Sequence, residues 1–458
     1  MQQTTTETRQ DALADPAFPT NTAKDEGGQQ MLLNEIASFF LVTGSPLFLA
    51  FYQIAYQDFD ASLEFAARSL MEEGPVLFFA ERTPRPTAST IAVYLGYVGW
   101  QAMLYNFLPG PLHAAPRTVG GRRILYRLNG LAAWASTILV AAACSYLSLS
   151  DPTYIANNWG PLLATANVYS MALITISWLK ARISPDLESE TFLTGYFWYD
   201  LFNGGELHPR SGRLFDWKHF NASRTGGILT WSLIDLSFAA LQYEKHGKLT
   251  ASMALTVAFR LTITIEYFWY ENWFFETLDG SYERFSFYSI YGFAAMMPHL
   301  WTLQTQYLAL HPVELSTGQC LGLSMMFLAG WYMRHIVDHQ KSSTRAANGD
   351  NKIWGETAKV LRVQYRTSDG KVHHSLLLCS GFWGWARHAN YLGSSIYTWA
   401  SCLACGTGHF FPYAEAVLMT IMVVHRCFRD EDRCRAKYAC AWDEYCQAVK
   451  WRIVPFVF

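Results

Sequence analysis

Apolar stretches recur along the whole chain, separated by polar segments that bunch their charges. They fall at about 32–55, 88–108, 128–149, 160–179, 227–243, 252–275, 287–309, 317–337, 388–405 and 409–424. A bilayer core about 30 Å thick needs about 20 mostly apolar residues per helix. The pattern therefore predicts an all-α polytopic membrane protein of about ten transmembrane helices. Several stretches hold a Gly, a Pro or a polar residue, which a span tolerates where neighbouring protein satisfies the backbone.

The polar segments divide the chain further. Residues 1–29 are rich in Thr, Ala, Asp and Gln and read as a disordered cytosolic tail. Residues 30–338 hold the N-terminal transmembrane helices. Within them, 181–226 is too polar and Gly-rich for a span and reads as a surface loop, with a lid over an interhelical pocket as the functional alternative. Residues 339–375 form a cytosolic insertion in which KVLRVQY and KVHHSLLL flank a turn ending in Asp-Gly, a short β-hairpin. The C-terminal helices and tail occupy 376–458.

Charge sets the topology. The loop at 57–87 is acidic, with Asp58, Asp60, Glu64, Glu72, Glu73 and Glu81. Basic loops carry Arg117, Arg122, Arg123 and Arg127, then Arg210, Arg213, Lys218 and Arg224, then Lys341, Arg345 and Lys352. Positive charge gathers on the cytosolic side, so both termini and these loops face the cytosol. The loop with Glu276, Asp279 and Glu283 is the exception.

Composition changes the picture little. Aromatics reach 16% and arrive in blocks, and the net charge of −2 offers no basic field for nucleic acid. The nine cysteines show no zinc-ribbon spacing, and the Cys402–Cys405 pair sits in an apolar run and reads as helix packing.

The candidate chemistry gathers near the C-terminus. Lys341 and Arg345 lie four apart and share one helix face. Arg426, Arg429, Arg433, Arg435 and Lys437 crowd with Asp430, Glu431 and Asp432 ahead of Tyr438, Trp442 and Tyr445. Arginines bind phosphate bidentately, carboxylates accept from ribose hydroxyls, and rings stack on a flat heterocycle, so a dinucleotide suits all three. No GxGxxG follows a strand, which excludes a Rossmann domain as the source. Arg387 and Asn390 stand at the mouth of a helix, and Gly381, Gly384 and Gly393 permit close approach.

SGFWGWARHANYLG and HRCFRDEDRCRAKY, with the upstream HPVELS, GELHPR, PHLWTLQ and WSLIDLSFAALQ, resemble the sterol reductase family. That family includes the Δ14-sterol reductases and the sterol domain of lamin B receptor, and its Δ7 branch is the better match. The resemblance spans roughly residues 30–458. It implies a multi-pass endoplasmic reticulum protein that reduces a sterol nucleus double bond, Δ7 of a Δ5,7-sterol, with NADPH in a cytosol-facing C-terminal pocket. Sterol and membrane lipids are the implied partners, and the sequence leaves the oligomeric state open.

By the same resemblance, Lys341, Arg345, Cys434, Arg435, Lys437 and Tyr438 would meet phosphate and ribose. Leu378, Trp383, Asn390, Tyr391, Asp430 and Tyr445 would lie on the nicotinamide side, and Arg387 and Arg426 join the cofactor set. The substrate half departs from the family: Ile263 stands for a tyrosine, Phe293 for an aspartate, Trp301 for a tyrosine, Ser394 for an acid and His208 for an asparagine. The family's mechanism protonates the alkene and captures the cation with hydride, so another proton donor is needed here. Glu266, Glu271 and Tyr267 are the candidates, with His208 and Asp235 behind them. Glu266 and Glu271 lie five apart, about 140° around a helix, and face different ways. Other readings are a repurposed relative acting on another polycyclic terpenoid, a non-catalytic sterol-binding protein, and an isoprenylcysteine-type methyltransferase, which Ser394 in place of the acid disfavours.

Overall fold

The structure, a computed structural model, describes residues 28–367 and 370–458. The expected tail at 1–27 and the hairpin turn residues Ser368 and Asp369 lie outside the described residues. Among the described residues the chain is largely helical, and its strands pair only as five two-stranded antiparallel ribbons. Each of the ten apolar ranges coincides with helix. Three helices, Gly28–Asp58, Trp159–Ile183 and Phe411–Tyr438, are long and apolar enough to cross a bilayer by length and composition.

Local chemistry sets the helix ends. Thr87 with Thr90, and Ser316 with Gln319, form reciprocal capping boxes that start Ala88–Phe107 and Thr317–Ala346. Gly247, at φ 68, stops Ile228–His246 with a backbone that a side chain would strain. The range expected as one span at 287–309 is broken instead. It runs as Phe287–Tyr291, a wide π-turn at Gly292–Met296, Met297–Leu300 and Leu303–Leu310. Pro298 lacks the N–H a continuous helix needs.

Two loop expectations are corrected. The acidic segment at 57–87 folds into Leu63–Glu73 and Pro75–Arg82, joined by an Arg82–Glu73 ion pair. Much of 181–226 is interior rather than surface, and none of it borders the cavity described below. Lys218, His219 and Arg224 are all buried, Arg224 completely. They tolerate burial because partners come from distant elements. Arg224 donates to Glu271 at 2.6 Å and to Asn129 at 3.1 Å, and the Lys218 ammonium donates to the Glu283 carbonyl at 2.8 Å. Burial still pushes Lys218 down to about 8.

The largest core packs Gly28–Asp58, Trp159–Ile183 and Ile228–His246 against the broken 287–310 segment. Smaller clusters lie beneath the expected hairpin, which pairs Val360–Arg366 with Val372–Leu378, and beneath the C-terminal tail. Helices Thr317–Ala346 and Ala389–Leu403 pack with almost no side chain between them. A Cβ on Gly393 would meet the Arg334 backbone nitrogen at 2.7 Å, and one on Gly330 the Tyr397 nitrogen at 2.7 Å. The Cys402–Cys405 pair is buried and unbridged, with the Cys402 sulfur accepting from Gln304.

Glu271 accepts from Arg224 and from the Gly130 amide at 2.9 Å, with the His219 ring at 3.3 Å. Removing one charge of a buried pair costs about 3–5 kcal/mol, because the other stays desolvated. Glu271→Gln is therefore expected to lower the thermal unfolding midpoint sharply in detergent, and an Arg224→Met/Glu271→Leu double variant to recover much of it.

Candidate active site

Helix Thr317–Ala346 supplies one wall of an open cavity. Arg334, Asp338, Lys341 and Arg345 stand three or four apart and line it from a single face. Helix Ala414–Tyr438 supplies the facing wall and changes character along its length. Met419, Met422 and Val423 line one end, and Arg426, Asp430, Arg433, Cys434 and Tyr438 the other. At 1.5 Å per residue, Met419 and Tyr438 lie about 28 Å apart along the axis. One helix thus builds both an apolar and a charged end.

At the charged end most cations are already paired. Arg426 meets both oxygens of Asp279 at 2.7 Å, Arg345 reaches Glu276 at 3.3 Å, and Arg433 holds Asp430 at 2.5 Å. Arg387 is bound by Glu431 at 2.6 Å and by the Val449 carbonyl. Lys341 differs. Its ammonium sits over the Trp383 ring at 5.2 Å and has no hydrogen-bond or ion-pair partner among the described residues. Asn390 donates to Asp338 at 3.1 Å, which leaves its carbonyl oxygen buried without a donor. His388 Nε2 and Trp442 Nε1, also on this wall, are likewise unpartnered. Burial pushes the Tyr282 phenol up, but Lys437, 3.5 Å from its oxygen, and Arg433 over its ring outweigh that and hold it below the usual value.

The other end is walled by Ile228, Trp231, Met297 and four of the side chains expected to depart from the family, Ile263, Phe293, Trp301 and Ser394. The π-turn and the following short helix bring Phe293, Met297 and Trp301 to one wall. Glu266 and Tyr267 stand between the two ends on helix Ala251–Trp269. Glu266 is fully engaged, accepting from Trp331 at 2.8 Å, Arg334 at 3.0 Å and facing His335 at 3.0 Å. Tyr267 is the reverse, a buried hydroxyl without a partner among the described residues.

Of the residues selected from sequence, the cavity gathers Glu266, Tyr267, Lys341, Arg345, Leu378, Trp383, Arg387, Asn390, Tyr391, Arg426, Asp430, Cys434, Tyr438 and Tyr445. Glu271 lies outside it, in the Arg224 network. Asp235 also lies outside, bonded to Thr305 at 2.6 Å near Arg260, and His208 is buried beside Tyr126 and Asp216. Arg435 is half exposed and faces Asp432 and Asp443. Lys437 is boxed by the rings of Tyr365 and Tyr438 and the Tyr282 hydroxyl rather than lining the wall. Sequence reasoning missed Arg334, Asp338, Asp279 and Tyr282. The first two continue the Lys341–Arg345 spacing backwards, and that ladder was a usable signal.

The match to the Ergosterol biosynthesis ERG4/ERG24 family covers residues 34–458. The chain is 37% identical to 7-dehydrocholesterol reductase of Xenopus laevis over 432 residues, covering 92% of this chain and 91% of the relative. It is 34% identical to the Delta(14)-sterol reductase of Methylotuvimicrobium alcaliphilum over 373 residues, 81% of this chain and 84% of that protein. The 7-dehydrocholesterol reductase of Arabidopsis thaliana is 29% identical over 410 residues, 90% and 94% of the two chains. A two-ended cavity on a largely helical, apolar scaffold and these matches over nearly the whole described length lead to one conclusion: the chain belongs to the ERG4/ERG24 family of sterol reductases.

Proposed function

We propose that this protein reduces a double bond of the sterol nucleus with NADPH, at Δ7 of a Δ5,7-sterol, as a multi-pass protein of the endoplasmic reticulum with both termini in the cytosol. The observation that carries this is one cavity with a charged, ring-lined end and an apolar end sharing a wall. Helix in each of the ten apolar ranges, one of them broken within 287–310, is in keeping with the ten-span arrangement.

The side chains at the charged end fit NADPH. Lys341, with no ion-pair partner among the described residues, and Arg345, half exposed and only loosely tied to Glu276, suit phosphate. The vacant acceptor on Asn390 suits a carboxamide N–H, and Trp383, Tyr391 and Tyr445 offer flat faces. Arg387 and Arg426 are committed to Glu431 and Asp279, so they shape this end more than they add free charge. NADPH, when bound, supplies the hydride. The protein's own task is to bring an alkene into reach and deliver a proton to it.

Tyr267 is the proton donor in this reading. Glu266 accepts from Trp331 and Arg334 and faces His335, so both of its oxygens are already engaged. Its role is to fix Arg334 and His335 beside the cavity. The Tyr267 hydroxyl has no competing acceptor among the described residues.

A second reading is favoured by Ile263, Phe293, Trp301 and Ser394 lying together at the apolar end. Such regrouping suits a different polycyclic terpenoid with the same cofactor. Sterol-defined yeast microsomes given NADPH and 7-dehydrocholesterol, with products followed by mass spectrometry, separate the two. Loss of the ring-B diene supports the first, and NADPH binding without that loss supports the second.

Two outcomes follow for variants. Lys341→Ala is expected to raise the NADPH dissociation constant at least about tenfold, the effect of a 1.4 kcal/mol contact, with little change in unfolding midpoint. Tyr267→Phe is expected to cut turnover by about 10²–10⁴-fold, the usual worth of a general acid, while NADPH affinity stays unchanged. Unaltered turnover in Tyr267→Phe would remove it as donor.

A further inference from the structure

Tyr282 lines the charged end of the cavity, on the short connection that follows helix Ala251–Trp269. Ion pairs pin the chain on both sides of it, Asp279 to Arg426 and Glu283 to Arg429, so the backbone that carries the phenol is fixed. The Lys437 ammonium donates to the phenol oxygen at 3.5 Å. A phenol both donates and accepts. The lysine occupies a lone pair and leaves the proton free, with no acceptor for it among the described residues.

The charge behind the phenol is positive. Lys437 sits against the rings of Tyr365, at 4.0 Å, and Tyr438, at 5.2 Å, and has no ion-pair partner among the described residues. Rings attract a cation without cancelling its charge. The acids of the same helix are engaged elsewhere: Asp430 with Arg433, Glu431 with Arg387 and Arg452, and Asp432 with exposed Arg435. Beyond burial, the groups that weigh most on Lys437 are Tyr282, Tyr438, Tyr365 and Arg433, none of them a carboxylate. Arg433 itself lies over the Tyr282 ring at 4.2 Å. Burial raises the phenol, but these two cations outweigh it, which strengthens the O–H as a donor.

Hydride has to be delivered toward the apolar end, so the nicotinamide points that way and the adenosine points the other. Lys437 and Tyr438 close the last turn of helix Ala414–Tyr438, the part of that wall farthest from Met419. NADPH differs from NADH by a phosphate monoester on the adenosine ribose, close to a dianion at neutral pH. We propose that Tyr282, backed by Lys437, donates its O–H to that 2′-phosphate and so selects NADPH over NADH. This rests on the NADPH reading of the cavity. Lys341 and Arg345 then serve the phosphates that the two dinucleotides share. Tyr282 touches the cofactor, and Lys437 is a positioning residue that acts through it.

Dissociation constants of NADPH and NADH, measured by calorimetry on the full-length protein in nanodiscs, test this. Tyr282→Phe keeps the ring beneath Arg433 and removes only the hydroxyl. It is expected to weaken NADPH at least about tenfold, the effect of one hydrogen bond to a charged group, and to leave NADH unchanged. As competitors, adenosine 2′,5′-bisphosphate is expected to lose affinity by the same factor and adenosine 5′-monophosphate to lose none. Lys437→Met keeps the hydroxyl but removes the charge behind it, and is expected to lower the preference for NADPH by a smaller factor. Lys341→Ala, by contrast, is expected to weaken both dinucleotides. Equal weakening of NADPH and NADH by Tyr282→Phe would put the hydroxyl on a part they share and overturn the proposal. No change in either would place it outside the site and overturn it too. Failure of the unaltered chain to bind NADPH would instead sink the cofactor reading, and the proposal with it, and is seen without any variant.

Discussion

Three carboxylates on one short connection organise the charged end of the cavity. Glu276, Asp279 and Glu283 meet Arg345, Arg426 and Arg429, each at 3.3 Å or less. These contacts tie the segment after helix Ala251–Trp269 to helices Thr317–Ala346 and Ala414–Tyr438, so the cavity walls are held by charge as well as by packing. Arginines crowded at this density would otherwise repel one another in a setting that screens poorly. With them paired in place, Lys341 remains a cation without a hydrogen-bond or ion-pair partner among the described residues. That contrast gives an otherwise balanced end a preferred position for an anion.

The same contacts account for the acidic charge of this loop. An acidic loop where a basic one is expected stood out as a topological exception. Its acids are ion-pair partners of arginines 69, 147 and 146 residues away. The helical pattern was legible because a bilayer-length apolar run is a strong signal, and the face shared by Lys341 and Arg345 because helical spacing fixes it. The hairpin was legible from alternation and a turn dipeptide. What could not be read depends on partners distant in sequence. The interior placement of 181–226 follows from Arg224 finding Glu271 and Asn129, 47 and 95 residues away. Glu271 looked as available as Glu266 until those partners were visible.

Helix Ala251–Trp269 and the turn that follows it separate roles that look interchangeable in sequence. Glu266, Tyr267 and Glu271 lie within six positions, yet one carboxylate orders the cavity wall, the other stabilises an interior network, and the hydroxyl between them is uncommitted. Polar groups inside an apolar scaffold are costly unless paired, which makes an unpaired one informative. Of the positions expected to differ from the family, Ile263, Phe293, Trp301 and Ser394 line the cavity, whereas His208 lies outside it beside Asp216.

In the proposed reading Asp279 shapes the cofactor end by holding Arg426 in place, although it is itself negative. Its sign makes the claim easy to test. NADPH affinity of the Asp279→Asn protein in nanodiscs should be measured against the unaltered chain at matched ionic strength. Removing a carboxylate near a polyanion strengthens binding if net charge alone decides. If position decides, binding weakens, by about tenfold or more for a contact worth 1.4 kcal/mol. Equal or tighter binding by the variant would contradict the account.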